Sequence, residues 1–330
     1  MLSRTASHLF WMARYIERAE NTARVLDVTH RTALLSNDRE EAETNVWHAP
    51  LNINGCTETY LAKYQMIKKE YVTRFIAYDP DNFSSIYTSL MLARENARSV
   101  RGAITSEMWE SINATWLEIN RMMSSTGSEA QTCFFDWVKE RSHLFRGVTL
   151  GTMLKDDALN FIRLGTFLER ADNTARILDV KYHILLPSVK DVGGAADYYQ
   201  WGALLNSVSA FEAYRKIYRD VITPQRVAEL LILRADMPRS LHACLNEVET
   251  TLEMINGISG REARRRAGAL HASLHFEHKE NIFKKGLHEY LTEFLEKTDD
   301  LSREIHTGYL ARRDEIAASA APQRTFAQVQ

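Results

Sequence analysis

The chain has 330 residues and 37.9 kDa, with 41 Lys and Arg against 43 Asp and Glu, a formal charge of −2. That balance excludes the basic excess of a general nucleic-acid binder, and 45% hydrophobic with 25% charged residues is the make-up of a globular chain. Only 14 Gly and 6 Pro punctuate it, so turns are few and helices must be long.

In the first half, helices are predicted at about 2–36, 57–78, 83–102, 106–124 and 128–148. The segment 38–55, with Pro50 and Asn54-Gly55, reads as the longest loop. Asp79-Pro80-Asp81-Asn82 is a break, with Asn82 or Ser84 available to cap the next helix. In the second half, helices fall near 156–186, 196–218, 224–233, 239–256 and 261–280, followed by one over 285–315. Pro187 through Gly194 ends the long helix and opens a loop, and residues 316–330 read as a mobile tail. No segment alternates like a strand. No 18 apolar residues run together, so no membrane span is expected. Polar residues interrupt MLSRTASHLFWMARYIERAE, which leaves no signal-peptide core. Cys56, Cys133 and Cys244 are scattered, which excludes a disulfide framework or a cysteine zinc site and points to a reducing, cytoplasmic setting.

The chain also repeats itself. YIERAENTARVLDV (15–28) and FLERADNTARILDV (167–180) agree at ten of fourteen positions, an offset of 152. Trp47 falls opposite Trp201 and Tyr60 opposite Tyr214 at 154, and Ser85 opposite Ser240 at 155. Two tandem, pseudo-symmetric five-helix repeats, 1–150 and 151–315, are therefore expected to pack as one all-α core of long helices.

At 100° per residue, Glu17, Glu20, Asn21, Arg24 and Asp27 share one side of the first repeated helix, with Ala19, Ala23 and Leu26 opposite. Glu169, Asp172, Asn173, Arg176 and Asp179 repeat the stripe, and Arg18 and Arg170 lie on its flanks. A solvated face laced with i,i+4 pairs is the ordinary reading. Exposed pairs are worth only ~0–1 kcal/mol, yet both copies keep these side chains while the loops have drifted apart. The stripe is therefore read as a polar network at the junction of the halves, or as a binding surface. Glu17 and Arg18 are expected to face Arg170 and Glu169. Glu17 and Glu169 are the candidate acids, and Arg18, Asn21, Arg24, Arg170, Asn173 and Arg176 the candidate binding residues.

MLSRTASHLFWMARYIERAENTARVLDV and FIRLGTFLERADNTARILDVKY closely resemble the bacterial alpha-E family, a helical domain named for its Glu-Arg motif. LARENARSVRGAITSEMWESIN (92–113) and GTMLKDDALNFIRLGTFLER (151–170) fit the same pattern. The motif maps onto Glu17-Arg18 and Glu169-Arg170. The resemblance implies association with circularly permuted ATP-grasp proteins and transglutaminase-like proteins, in systems that make or modify peptides by ATP-dependent carboxylate–amine ligation. The motif offers carboxylates and arginines but no histidine, so an accessory or substrate-presenting partner of the ligase is expected, with a Glu/Arg peptide enzyme or a purely structural scaffold as alternatives.

Two other groups stand out. Arg94, Arg98 and Arg101 share a helix face suited to a phosphate or carboxylate, or to pairing with neighbouring glutamates. His271, His275 and His278 share another face and form a weak zinc candidate beside the plainer reading of an exposed histidine face. There is no Gly-rich phosphate loop, Gly-x-Ser-x-Gly or His-Glu-x-x-His, so no resident cofactor is expected and any ATP would be bound by a partner.

Overall fold

Residues 3–35 contain neither glycine nor proline, and they form one uninterrupted helix, α1 (Ser3–Leu35), about 50 Å long at 1.5 Å per residue. The computed structural model describes residues 1–35, 40–124, 131–184, 195–255 and 260–311. The expected tail 316–330 and the loop from Pro187 to Gly194 lie outside the described residues. After α1 come α2 (Glu40–Ile53), α3 (Thr57–Lys63), α4 (Lys69–Ala77), α5 (Ile86–Ser99), α6 (Ser106–Ser124) and α7 (Gln131–Thr152). The second long helix is α8 (Asp157–Ile184). It is followed by α9 (Ala195–Ser207), α10 (Phe211–Tyr218), α11 (Pro224–Ala228) with a π-helical turn Glu229–Leu233, α12 (Leu241–Met254) and α13 (Arg261–His275). The last elements are α14 (Lys279–Lys285), α15 (Leu287–Ile305) and a second π turn, His306–Leu310. The described residues contain no strand, and no helix among them is long and apolar enough to cross a membrane.

The two long helices lie side by side and run the same way. The Met1 amino group nears Asp157, Gly165 meets Phe10 and Ala13, Glu169 meets Arg14 and Arg18, and Ile177 sits beside Val25. Around them α5 and α7 pack antiparallel to α1, and α12 and α15 antiparallel to α8. Gly165 is the reason the pair can touch. A methyl group there would lie 2.2 Å from the Phe10 carbonyl oxygen and 3.3 Å from the Ala13 side chain. A glycine inside a helix costs about 1 kcal/mol relative to alanine, and here that cost is offset by direct backbone contact between α1 and α8.

Several boundaries differ from the sequence expectation. Most of 38–55 is a helix, α2, and Pro50 lies inside it. Trp47, Pro50 and Leu51 stand at i, i+3 and i+4 and are all buried. Burial of that face outweighs the roughly 3 kcal/mol a proline costs a helix. The helix expected over 57–78 is two, α3 and α4, and that over 196–218 is likewise two, α9 and α10. A buried tyrosine fastens the chain after α3 and again after α10: Tyr60 donates its hydroxyl to the Met66 carbonyl (2.8 Å), and Tyr214 to that of Val221 (2.9 Å). Both bonds run from a side chain to a backbone carbonyl, so side-chain periodicity did not mark them. Likewise 261–280 divides into α13 and α14. The cap of α5 is neither Asn82 nor Ser84. Ser85 accepts from the Thr88 amide (3.1 Å), and Ser240 caps α12 in the same way through the Ala243 amide (2.9 Å). Asn82 instead ties the preceding turn, donating to the Phe75 carbonyl at 3.0 Å.

Candidate functional site

Where α1, α7, α8 and the start of α12 meet, the polar stripe is buried. Glu17 and Glu20 are 1% and 0% exposed, and Glu169 and Arg170 are buried with them. The expected cross-pairing is present. Arg170 places its fork on Glu17, Nε and Nη2 each 2.9 Å from a carboxylate oxygen. Arg18 does the same to Glu169, at 2.6 and 3.1 Å. Paired donors of this geometry are the strongest hydrogen bonds available to a carboxylate.

The network also contains residues that the repeat did not reveal. Arg14 donates to Glu169 (2.7 Å) and to the Ser302 hydroxyl (3.2 Å). Arg239, just ahead of α12, donates to Glu17 (3.1 Å), Asn21 (2.9 Å) and Glu20 (2.6 Å). From α7, Arg146 reaches both Glu17 (3.1 Å) and Glu20, and the Ser142 hydroxyl donates to Glu20 (2.6 Å). Arg24 bonds Glu20 four residues earlier at 2.8 Å. Arg14 lies one helical turn before Arg18, a spacing visible in the sequence. Arg239 stands opposite Ser84 in the repeat alignment, so internal symmetry hides it.

The halves are unequal. Glu20 is enclosed by three arginines and a serine, whereas its counterpart Asp172 is partly exposed and pairs with Arg176 along the same helix at 2.8 Å. Of the other expected site residues, Asn173 is half-buried on α8 and Arg176 is occupied by Asp172, so neither joins the network. Arg94 and Arg98 lie on α5, away from it. They share Glu95, and Arg94 and Arg101 stack on the Trp109 ring. The histidine set differs as well: His271 and His275 gather with His242 of α12, while His278 stands just ahead of α14, outside the cluster.

Burial alone would raise the Glu17 carboxyl, but Arg170 and Arg239 more than offset it and leave the group below its usual range. Glu20 is held well below that range, with His143, Arg239 and Arg146 outweighing burial. For Glu169 the pull of Arg18 and Arg14 exceeds the burial effect and brings it to about 2. All three are fixed anions near neutrality, with their oxygens occupied by guanidiniums. A general acid or base needs a pKa near the working pH and a lone pair facing substrate, and these glutamates have neither. Cys244, buried beside the network, has its thiol pushed up to about 12 by burial, which leaves no thiolate nucleophile.

Six arginines (14, 18, 24, 146, 170 and 239) share three glutamates here, an excess of three positive charges. On one side the cluster opens into a solvent-reaching cleft of about 1110 Å³ between α7, α8 and α12. Arg146 and Arg170 face into it beside Phe145, Phe167 and Thr166, and Lys155, Asp156, Asp157 and the Arg163–Glu247 pair also line it. Glu17 anchors both guanidiniums from behind through one oxygen, Oε2, at 3.1 and 2.9 Å. Arg146 makes all of its network bonds through Nη1, which leaves Nε and Nη2 for a ligand. Such a site can hold a planar anion, a carboxylate or phosphate, in two-pronged fashion. A second cavity, between Val25, Thr29, Ile177 and Leu204, is small and apolar, about 80 Å³.

The model of the Alpha-E family, described as a predicted alpha-helical domain with a conserved ER motif, matches residues 1–310. No curated protein and no solved structure matches the chain. The two Glu-Arg dipeptides, Glu17-Arg18 and Glu169-Arg170, are the four residues that cross-pair between α1 and α8.

Proposed function

Because the chain belongs to the Alpha-E family, we propose that it serves an ATP-grasp carboxylate–amine ligase as a substrate-presenting partner and does not itself carry out the chemistry. In this reading the cleft holds a peptide through a carboxylate on Arg146 and Arg170, and the ligase supplies ATP and bond formation. The observation that carries it is the cleft itself, into which Arg146 and Arg170 face, with Nε and Nη2 of Arg146 unused by the network behind it. The saturated, ionised glutamates support binding over acid–base catalysis. The ligase, and a transglutaminase-like protein beside it, enter from the family resemblance. The same reading takes the chain as two units, 1–150 and 151–315, descended from one and packed as a single pseudo-symmetric core. The equivalent capping serines, Ser85 and Ser240, and the equivalent fastening tyrosines, Tyr60 and Tyr214, support that.

Titration calorimetry with a short peptide, carrying either a free or an amidated C-terminus, tests the cleft. The free carboxylate should bind at least about tenfold tighter, and Arg146→Ala should abolish the difference, a loss of one charge-assisted bond worth about 1.5–3 kcal/mol. Equal binding of the two peptides, or no binding, refutes the carboxylate site. The partnership is tested separately by gentle co-purification from the native cell. Recovery of an ATP-grasp protein is expected, and its absence with wild type and Arg18→Ala alike removes the ligase from the reading.

A further inference from the structure

On the face of α12 turned away from the cleft, three histidines converge. His242 stands in the first turn of α12, and His271 and His275 stand four residues apart on α13. One ring nitrogen from each lies within 4.8 Å of the others, and the ring centres are 5.1 to 6.1 Å apart. The four-residue spacing on one helix and the meeting of two helices give the layout by which helical proteins chelate a metal.

Two of the rings are held in the tautomer a metal needs. His242 donates from Nδ1 to the Leu233 carbonyl at 2.8 Å, in the π turn. His271 donates from Nδ1 to the Glu249 carboxylate, which comes from α12 two turns after His242. In each case the proton sits on Nδ1 and the lone pair is left on Nε2. A carbonyl or carboxylate behind a histidine is the usual support of a metal-bound imidazole. The Nε2 of His271 is shielded from solvent and has no hydrogen-bond partner, an acceptor left unsatisfied in the interior. Gly268 makes room for the supporting acid, since a methyl there would come within 3.0 Å of the Glu249 Oε1. His275 is the exposed member and completes the set from the solvent side.

We propose that His242, His271 and His275 bind one zinc-like divalent transition ion, with a fourth, water-accessible coordination position beside His275. Zinc held at 2.0–2.1 Å by tetrahedral nitrogens needs about 3.3 Å between them. Small rotations of the rings close the remaining distance of at most about 1.5 Å, the exposed His275 being the freest to turn. Three neutral nitrogens favour zinc, nickel or cobalt and disfavour magnesium and calcium, which prefer oxygen.

The test is equilibrium binding of zinc ion alone to the full chain after stripping with chelator, with cobalt absorption as a second readout. One zinc per chain is expected, and a cobalt visible spectrum of four-coordinate intensity. His275→Ala, at an exposed position, leaves the fold intact by circular dichroism and should weaken zinc binding about 100-fold or more. Glu249→Gln keeps the ligands and should weaken it about 10–100-fold by loosening the His271 ring. Absence of stoichiometric zinc on the wild-type chain overturns the proposal. So does zinc binding that is unchanged in His275→Ala, which would place the ion on other residues.

Discussion

Replacing Arg239 by methionine keeps much of the side-chain volume and removes a cation that touches Glu17, Glu20 and Asn21 together. The arginine side chain is only 10% exposed, so water cannot take its place. Glu17 keeps Arg170 and Arg146, and Glu20 keeps Arg146, Arg24 and Ser142, but two adjacent buried carboxylates lose the cation between them. Removing one partner from a buried ion cluster costs about 3–5 kcal/mol. The control is Arg31→Met, which also breaks a bidentate arginine–carboxylate pair, with Asp27, but from a side chain that is 64% exposed. That loss should be about 0–1 kcal/mol. At this chain length 1 kcal/mol moves Tm by about 2 °C, so Arg239→Met should lower Tm by roughly 6–10 °C and Arg31→Met by no more than about 2 °C. Urea and thermal unfolding followed by circular dichroism at helix wavelengths measure both. A difference between the variants of under about 1 kcal/mol would show that burial adds nothing to the network. Exchanging Arg18 with Glu169 is a poorer probe, because a guanidinium at position 169 would lie against Arg14, now 2.7 Å from the carboxylate.

Gly165→Ala should separate α1 from α8 at the Phe10 carbonyl and cost about 1–3 kcal/mol despite alanine's better helix propensity. An unchanged or raised Tm would mean that the helices yield there without strain. Acid stability should fall in two windows. Burial, helped by Lys69, pulls His30 down to about 4 from 6.5, so the unfolded chain takes up that proton first and stability declines as pH falls from about 6.5 to 4. His30→Gln should flatten that decline, worth at most about 3.4 kcal/mol at 1.36 kcal/mol per pKa unit and less because solvent screens the half-buried ring, and an unaltered pH profile would refute the assignment. Glu169, held at about 2 by Arg18 and Arg14 against burial, contributes stability that is complete above its ordinary 4.5 and lost as pH falls toward 2.

The cross-pairing of Glu17 with Arg170 and Arg18 with Glu169 was legible in the sequence because the Glu-Arg dipeptide occurs twice in long helices with matching faces. The parallel course of those helices agrees with the 152-residue offset. What could not be read was the part of the network supplied from elsewhere. Ser142 and Arg146 sit on α7 with ordinary helical spacing, and Arg239 lies ahead of a helix where periodicity gives no face. Their role is set by tertiary contact alone. Pro50 misled for a related reason: proline argues against a helix locally, and the burial of Trp47 and Leu51 overrides it. The histidine cluster was half visible, since His271 and His275 share a face while their partner His242 comes from another helix.

Glu17 and Arg170 are separated by 153 residues of chain. During synthesis α1 therefore leaves the ribosome long before its bidentate partner from α8 exists, at translation rates of roughly 5–20 residues per second. Through that interval its carboxylates stay hydrated, because a buried unpaired charge is far costlier than an exposed one. The early helices can gather on the apolar side of α1, and α7 brings Arg146 and Ser142 to part of its charged side, but Glu17 lacks its bidentate partner until α8 is made. The arrival of α8 and then of Arg239 is what permits burial. An interior held together by ions thus also orders events in time, leaving the Glu17 site incomplete until the second half supplies Arg170 and Arg239.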